Sequence, residues 1–128
     1  MCIRDRKYTD TIAAKAICAF YLANEYEQAI NQSAIYINQI KTKYGPIYKY
    51  KGMSEYKITA FKAAREDLAT ALNTLFEDYE TNLFMAKNAV ALGDAEQSVR
   101  YAEKANRICN DCPEALVWWG ICLSLIHI

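Results

Sequence analysis

Two helical patterns abut at Asn24 with almost nothing between them, and two more abut at Gly93-Asp94. Helices joined by so short a connection can bury their apolar sides in one way, by folding back as an antiparallel hairpin. Before Asn24, the residues Ile12, Ala16, Ala19, Phe20 and Ala23 recur at helical spacing over 11–22, with Asp10 as the expected N-cap. After it, Tyr26, Ala29, Ile30, Ser33, Ile37 and Ile40 mark one side of a helix over 25–40. Asn tolerates the left-handed backbone that ends many helices. The second junction reads the same way. A helix over 81–92 stops at Gly93, and Asp94 with Gln97 has capping-box spacing for a helix running to Cys109. Asn110-Asp111-Cys112-Pro113 ends that helix and opens another, carrying Val117, Trp118 and Ile121, with Pro113 suited to the first turn.

The middle of the chain shows less pattern. Tyr44 to Met53 contains Gly45, Pro46 and Gly52 and has no helical period, which predicts a loop over 44–53. Ser54 is expected to cap a third helix through Phe61, Leu68, Leu72 and Phe76, with a break over 78–81 or continuation through Met85. No strand is predicted. The fold class is therefore all-α, a stack of antiparallel hairpins, because a hairpin with one apolar side can bury it only on a neighbour. The organisation expected is a hairpin over 7–43, the loop, one or more helices over 54–80, and a repeat with the first helix of the next over 81–122.

The two terminal hexapeptides are set apart from this reasoning. Met1 to Arg6 can be back-translated to look like ATG-TGT-ATA-AGA-GAC-AG, and Leu123 to Ile128 like CTG-TCT-CTT-ATA-CAC-ATC. These resemble one sequencing-library transposon end and its reverse complement, so residues 1–6 and 123–128 are expected to be scars outside the native fold. On that reading the gene continues on both sides, and His127 drops out. The helix from Pro113 would then lack its partner. Trp118 or Trp119 should be unusually exposed, and the fragment should tend to self-associate.

Setting Arg4, Asp5 and Arg6 aside, the 15 basic and 15 acidic residues leave an excess of one acid. Such a balance gives no general electrostatic footprint for nucleic acid or an anionic membrane. No apolar run is long enough to span a bilayer. Cys18 lies within a helical apolar pattern, and the sparse cysteines lean towards a reducing, cytoplasmic setting. Cys109 and Cys112 form a CxxC, which as a redox pair would sit near a βαβ unit and as half a zinc site would need a second ligand pair. Neither context is present, so a structural role is expected and no metal is assigned.

Lys41, Lys43, Lys49, Lys51 and Lys57 interleave with Tyr44, Tyr48, Tyr50 and Tyr56, a composition able to stack on bases and contact phosphates. The plainer expectation is tyrosines packed on adjacent helices and lysines turned to water. Glu66, Asp67, Glu77, Asp78 and Glu80 read as a solvated helix face. There is no Gly-rich phosphate loop and no nucleophile with a histidine base, so no catalytic residue and no cofactor is assigned.

With these residues in view, the stretch from Asn82 to Gly120 resembles the tetratricopeptide repeat, a helix pair with a period of about 34 residues. Gly93-Asp94 matches its internal turn, Ala86, Ala89, Ser98 and Ala105 its close-contact positions, and Trp119-Gly120 its Leu-Gly pair. Asn82 stands where the family prefers Trp, and Asn110 where it closes with Pro. The first hairpin is similar more weakly, with Ala29 as the small contact and Tyr36 where Ala is usual. Ala29 and Ser98 lie 69 residues apart, near two repeat lengths, but a loop between them leaves no first helix for a middle unit, so the spacing carries no weight.

The resemblance implies a protein or peptide partner held in a groove formed by the first helix of each pair. By position, that groove comprises Glu80, Leu83, Lys87, Val90, Glu114 and Val117. Leu83 and Lys87 occupy two positions of the family's grip on a C-terminal carboxylate, so that mode is not expected here. The function implied is a non-catalytic interaction scaffold; the alternative is a helical accessory domain of a larger enzyme. Oligomeric state is not legible.

Overall fold

A computed structural model describes residues 3–126, with side chains from residue 9 onward. Among the described residues there are seven helices and no strand. They are α1 (Ile3–Leu22), α2 (Tyr26–Ile40), α3 (Gly45–Lys57), α4 (Phe61–Leu72), α5 (Tyr79–Leu92), α6 (Ala95–Ile108) and α7 (Pro113–Ile126). Consecutive helices pack as hairpins, α1 on α2, α3 on α4 and α5 on α6, and each hairpin stacks on the next.

One backbone device makes all three hairpin turns. Asn24, Thr59 and Gly93 adopt positive φ of 63°, 67° and 79°. At each, the following amide reaches back five residues: Glu25 to the Phe20 carbonyl (2.9 Å), Ala60 to that of Glu55 (2.8 Å), and Asp94 to that of Ala89 (2.9 Å). The left-handed residue's own amide bonds the carbonyl three back, completing a Schellman motif that satisfies the last carbonyls of each first helix. Five residues beyond each turn stand Ala29, Ala64 and Ser98, all fully buried. The turns are 35 and 34 residues apart, so the chain carries three full units and the first helix of a fourth.

This corrects the expectation for the middle. A helix, α3, occupies the stretch predicted as a loop, and the 69-residue spacing of Ala29 and Ser98 is two repeat lengths with a real unit between them. The periodicity is missing because α3 touches α1, α2, α4 and α5, so it buries residues all round its axis, polar Lys49, Ser54 and Glu55 among them. Pro46 lies in its first turn, where no intrahelical amide is required. Ser54 is not a cap; its hydroxyl donates to the Tyr50 carbonyl from inside α3. The next helix ends at Leu72, so Phe76 falls in the connection to α5. Asp10 is likewise internal to α1, buried, and accepts hydrogen bonds from Tyr36 (2.6 Å) and Thr42 (3.1 Å). Asp94 does cap α6, accepting from the Gln97 amide at 3.2 Å.

The departures from the repeat pattern have local compensations. Asn82 is fully buried and donates to the carbonyls of Phe76 and Asp78, holding the α4–α5 connection. Cys109 and Cys112 are joined by a disulfide that closes the α6–α7 turn. Trp118 and Trp119 are half-buried rather than unusually exposed: Trp118 packs on Leu83 and Ala105, and Trp119 on Ala86 and Ala102. The exposed apolar residues of α7 are instead Leu116, Val117 and Ile121, followed by Leu123, Leu125 and Ile126. Thus α1 begins within the first terminal hexapeptide and α7 ends within the second; residues 1, 2, 127 and 128 lie outside the described residues. No helix among those described is long and apolar enough to cross a membrane.

Candidate functional site

The first helices of the units, α1, α3, α5 and α7, touch one another in order, whereas the second helices α2, α4 and α6 do not meet. Helices close together on one side and splayed on the other give the stack curvature, with the first helices on the inner face. That face carries its own repeat. Tyr50, Phe84 and Trp118 occupy the same position of α3, α5 and α7, each 34 residues from the last; Tyr50 and Trp118 are half-buried, whereas Phe84 is buried against Met53, Leu68 and Met85 and backs the face. Tyr21 on α1 extends the row, with its ring centroid 6.0 Å from that of Tyr50.

Cations and carboxylates alternate with the rings and tie the units together. Lys49 on α3 reaches across to Asp78 (3.0 Å) and Glu80 (3.1 Å) at the start of α5. Lys87 on α5 reaches Glu114 on α7 at 2.6 Å and lies over both Phe84 and Trp118, 4.9 and 5.7 Å from their centroids. Burial works against the Lys49 ammonium, but its bonds to Asp78 and Glu80 outweigh that and hold its pKa above the ordinary lysine value. For Asp78 burial is likewise outweighed, by the Thr81 hydroxyl, Lys49 and the Thr81 amide, and its pKa falls. Tyr21 is pushed up to about 12, mainly by burial and then by the Glu80 carboxylate. Tyr50 is raised by burial and by its bond with the Cys18 thiol. Lysines and glutamates here neutralise one another, and the tyrosines stay protonated at neutral pH.

Of the six residues predicted to line the groove, Glu80, Glu114 and Val117 are exposed, Val117 at 59%. Lys87 and Val90 are half-buried. Leu83 is a correction: at 2% exposure it packs with Ala105 and Ala115 in the seam between α5, α6 and α7, so it supports the face without presenting to it. The sequence reasoning missed the row of rings, although the 34-residue spacing of Tyr50, Phe84 and Trp118 was there to be counted. A loop reading of residues 44–53 hides the row, because it takes Tyr50 off any helix.

The lysine-tyrosine stretch is also corrected. Lys49 and Lys51 do not point to water: Lys51 bonds Asp67 (2.6 Å) and Glu55 (3.1 Å) between α3 and α4. Three of the five carboxylates read as a solvated face, Asp67, Asp78 and Glu80, are thereby engaged, and Asp78 also caps α5 through the Thr81 amide. Among the described residues no group of His, Cys, Asp and Glu is arranged to hold a metal.

No protein-family model matches the chain, and no curated protein matches it significantly. Solved structures do match its backbone. The first tetratricopeptide domain of Spaghetti (RPAP3), bound to the HSP90 peptide SRMEEVD, superposes with a TM-score of 0.82 at 11% identity, over 92% of this chain and 93% of that one. The UNC-45 chaperone, described as binding and folding muscle myosin, gives 0.81 at 16% identity over 90% of this chain and 13% of its own. PcrH, in complex with the chaperone-binding region of PopD, gives 0.72 at 11% over 94% and 90%. The fold is that of a tetratricopeptide-like all-α solenoid.

Proposed function

We propose that this chain is a non-catalytic protein-interaction segment that holds an extended or helical peptide along the inner face of α1, α3, α5 and α7. The observation that carries the reading is the repeat of Tyr50, Phe84 and Trp118, interleaved with the Lys49–Glu80 and Lys87–Glu114 pairs. Such a periodic row suits a ligand that is itself periodic, offering apolar groups to the half-buried rings of Tyr50 and Trp118, with Phe84 packed beneath Lys87, and backbone or side-chain dipoles to the ion pairs. Val117 and Val90 supply apolar contact, while Glu80, Lys87 and Glu114 supply polar contact. With Lys87 already held by Glu114 and Leu83 buried, a free C-terminal carboxylate is not the ligand this face favours. That two of the similar structures carry a bound peptide or partner region supports the reading by fold.

The test is selection of random dodecapeptides on the immobilised chain, followed by titration of the enriched sequences using tryptophan fluorescence. Val117→Asp, at an exposed position, should weaken the selected peptides by at least about tenfold, the scale of one lost apolar anchor. Glu103→Lys, exposed on α6, should leave them unchanged. Enriched peptides indifferent to Val117→Asp, or no enrichment at all, would remove the proposal.

A further inference from the structure

The splaying that curves the stack also opens its outer side. Between α4 and α6, floored by α5, lies a cleft of about 380 Å³, within the range of small-ligand sites. Its walls are apolar where Ala69, Met85, Leu92 and Tyr101 meet, and its rim carries Glu66, Asp94 and Arg65. Asn88 lies in it at 1% exposure. The amide is oriented by its Nδ2, which donates to the Phe61 carbonyl at 2.9 Å, and that leaves Oδ1 as a buried acceptor with no partner. Such an orphan destabilises the fold when nothing answers it.

We infer that this outer cleft is a second ligand site, separate from the inner face, and that it takes an apolar body ending in a protonated nitrogen, as on an arylalkyl amine. The apolar walls cover the body. The nitrogen supplies the N–H that Asn88 Oδ1 lacks, and its charge suits a rim where two carboxylates face one guanidinium. One repeat earlier, at the positions of Met85, Ala89 and Tyr101, the arrangement differs in kind, because between α3 and α4 Lys51 of this chain already fills the place of the cation between Glu55 and Asp67. The α4–α6 cleft has no built-in cation in that place.

The experiment is a ¹H–¹⁵N titration of the full chain with phenethylamine, with 2-phenylethanol as the uncharged comparison. Saturable shifts at Asn88, Ala89 and Gln97, with phenethylamine the tighter binder, are expected. Asn88→Leu and Glu66→Lys should each weaken phenethylamine by roughly tenfold, the effect of losing one charge-assisted contact. Glu66 is exposed, so that variant keeps the test valid even if Asn88→Leu fails to fold. Glu27→Lys on α2, remote from the cleft, should change nothing. Non-saturating shifts, as expected of a cleft that holds only water, shifts confined to α1 and α3, or affinity unmoved by Glu66→Lys would each overturn the assignment.

Discussion

Gly52 and Gly120 lie 68 residues apart, at the same position of α3 and α7, and the structure predicts opposite responses to the same methyl group. A Cβ at Gly52 would stand 2.7 Å from Leu68 Cγ, 3.0 Å from its Cδ2 and 3.1 Å from its backbone nitrogen. The side chain could turn away, but the backbone of α4 could not without opening the hairpin. At Gly120 a Cβ meets nothing within 4 Å. In a helix interior Ala is favoured over Gly by about 1 kcal/mol. Overpacking of a tight seam costs about 1–3 kcal/mol, and contact with a backbone atom argues for the upper half of that range. Gly52→Ala should therefore lose about 1–2 kcal/mol net, while Gly120→Ala should gain about 1 kcal/mol, since only the propensity term remains. Urea unfolding monitored by circular dichroism, with one slope fitted to both variants, resolves a gap of that size. If Gly52→Ala is as stable as the parent, the close approach of α3 to α4 is wrong, and with it the register of the middle unit.

Glu55 has its carboxyl pushed up to about 8, first by burial and then by the Asp67 carboxylate, with Lys51 opposing. Because the folded value lies above the ordinary 4.5, the fold holds a proton that the unfolded chain has released in between; this stability is full below about pH 4.5 and is lost as pH rises through 8. Glu55→Gln, which mimics the protonated form, should match the parent at pH 5 and exceed it at pH 9, and equal unfolding free energies at pH 9 would contradict the assignment. Leu83→Ala should cost about 2–5 kcal/mol as a core truncation, seen as a lower melting temperature. It should leave the affinity of inner-face peptides within about twofold at temperatures where the variant stays folded, because a buried side chain loses packing and no direct contact. The Cys109–Cys112 loop is short, so the chain-entropy model gives its closure about 2 kcal/mol; dithiothreitol should lower stability by no more than that. A larger drop would mean that the α6–α7 turn depends on the bond for its shape.

What the sequence revealed and what it hid follow from how each helix is buried. The α5–α6 hairpin was legible because Gly93 and Asp94 carry the chemistry of the turn in their side chains: one accepts positive φ without strain, the other caps. The equivalent middle turn uses Thr59, a β-branched residue in left-handed backbone, which no turn rule singles out. The turn forms there all the same through the Schellman bonds of Thr59 and Ala60 back to the last carbonyls of α3, which are backbone bonds and leave no mark in the side chains. The same holds for the face. Counting from the recognisable unit selects Glu80, Glu114 and Val117, which are exposed, and equally Leu83, which is buried because α5 is covered along that line by α6 and α7.

The polar groups buried in this stack answer a problem that small-residue seams create. Ala29, Ala64, Ala86, Ala102, Ala105 and Ser98 let helices approach closely, yet alanine against alanine offers little to distinguish one register from the next. Bonds that cross from unit to unit do distinguish: Lys49 to Asp78 and Glu80, Asn88 to the Phe61 carbonyl, and Lys87 to Glu114. Each requires one helix to stand at one height against its neighbour, since a slip would strand a charge or an amide away from water. Among these ion pairs, Glu80 and Glu114 are exposed, and Lys87 and Glu114 belong to the proposed binding face. A ligand competing for Lys87 or Glu114 therefore acts on the α5–α7 register as well as on the surface, and binding along that face should stiffen or loosen the stack according to whether it completes or breaks those pairs.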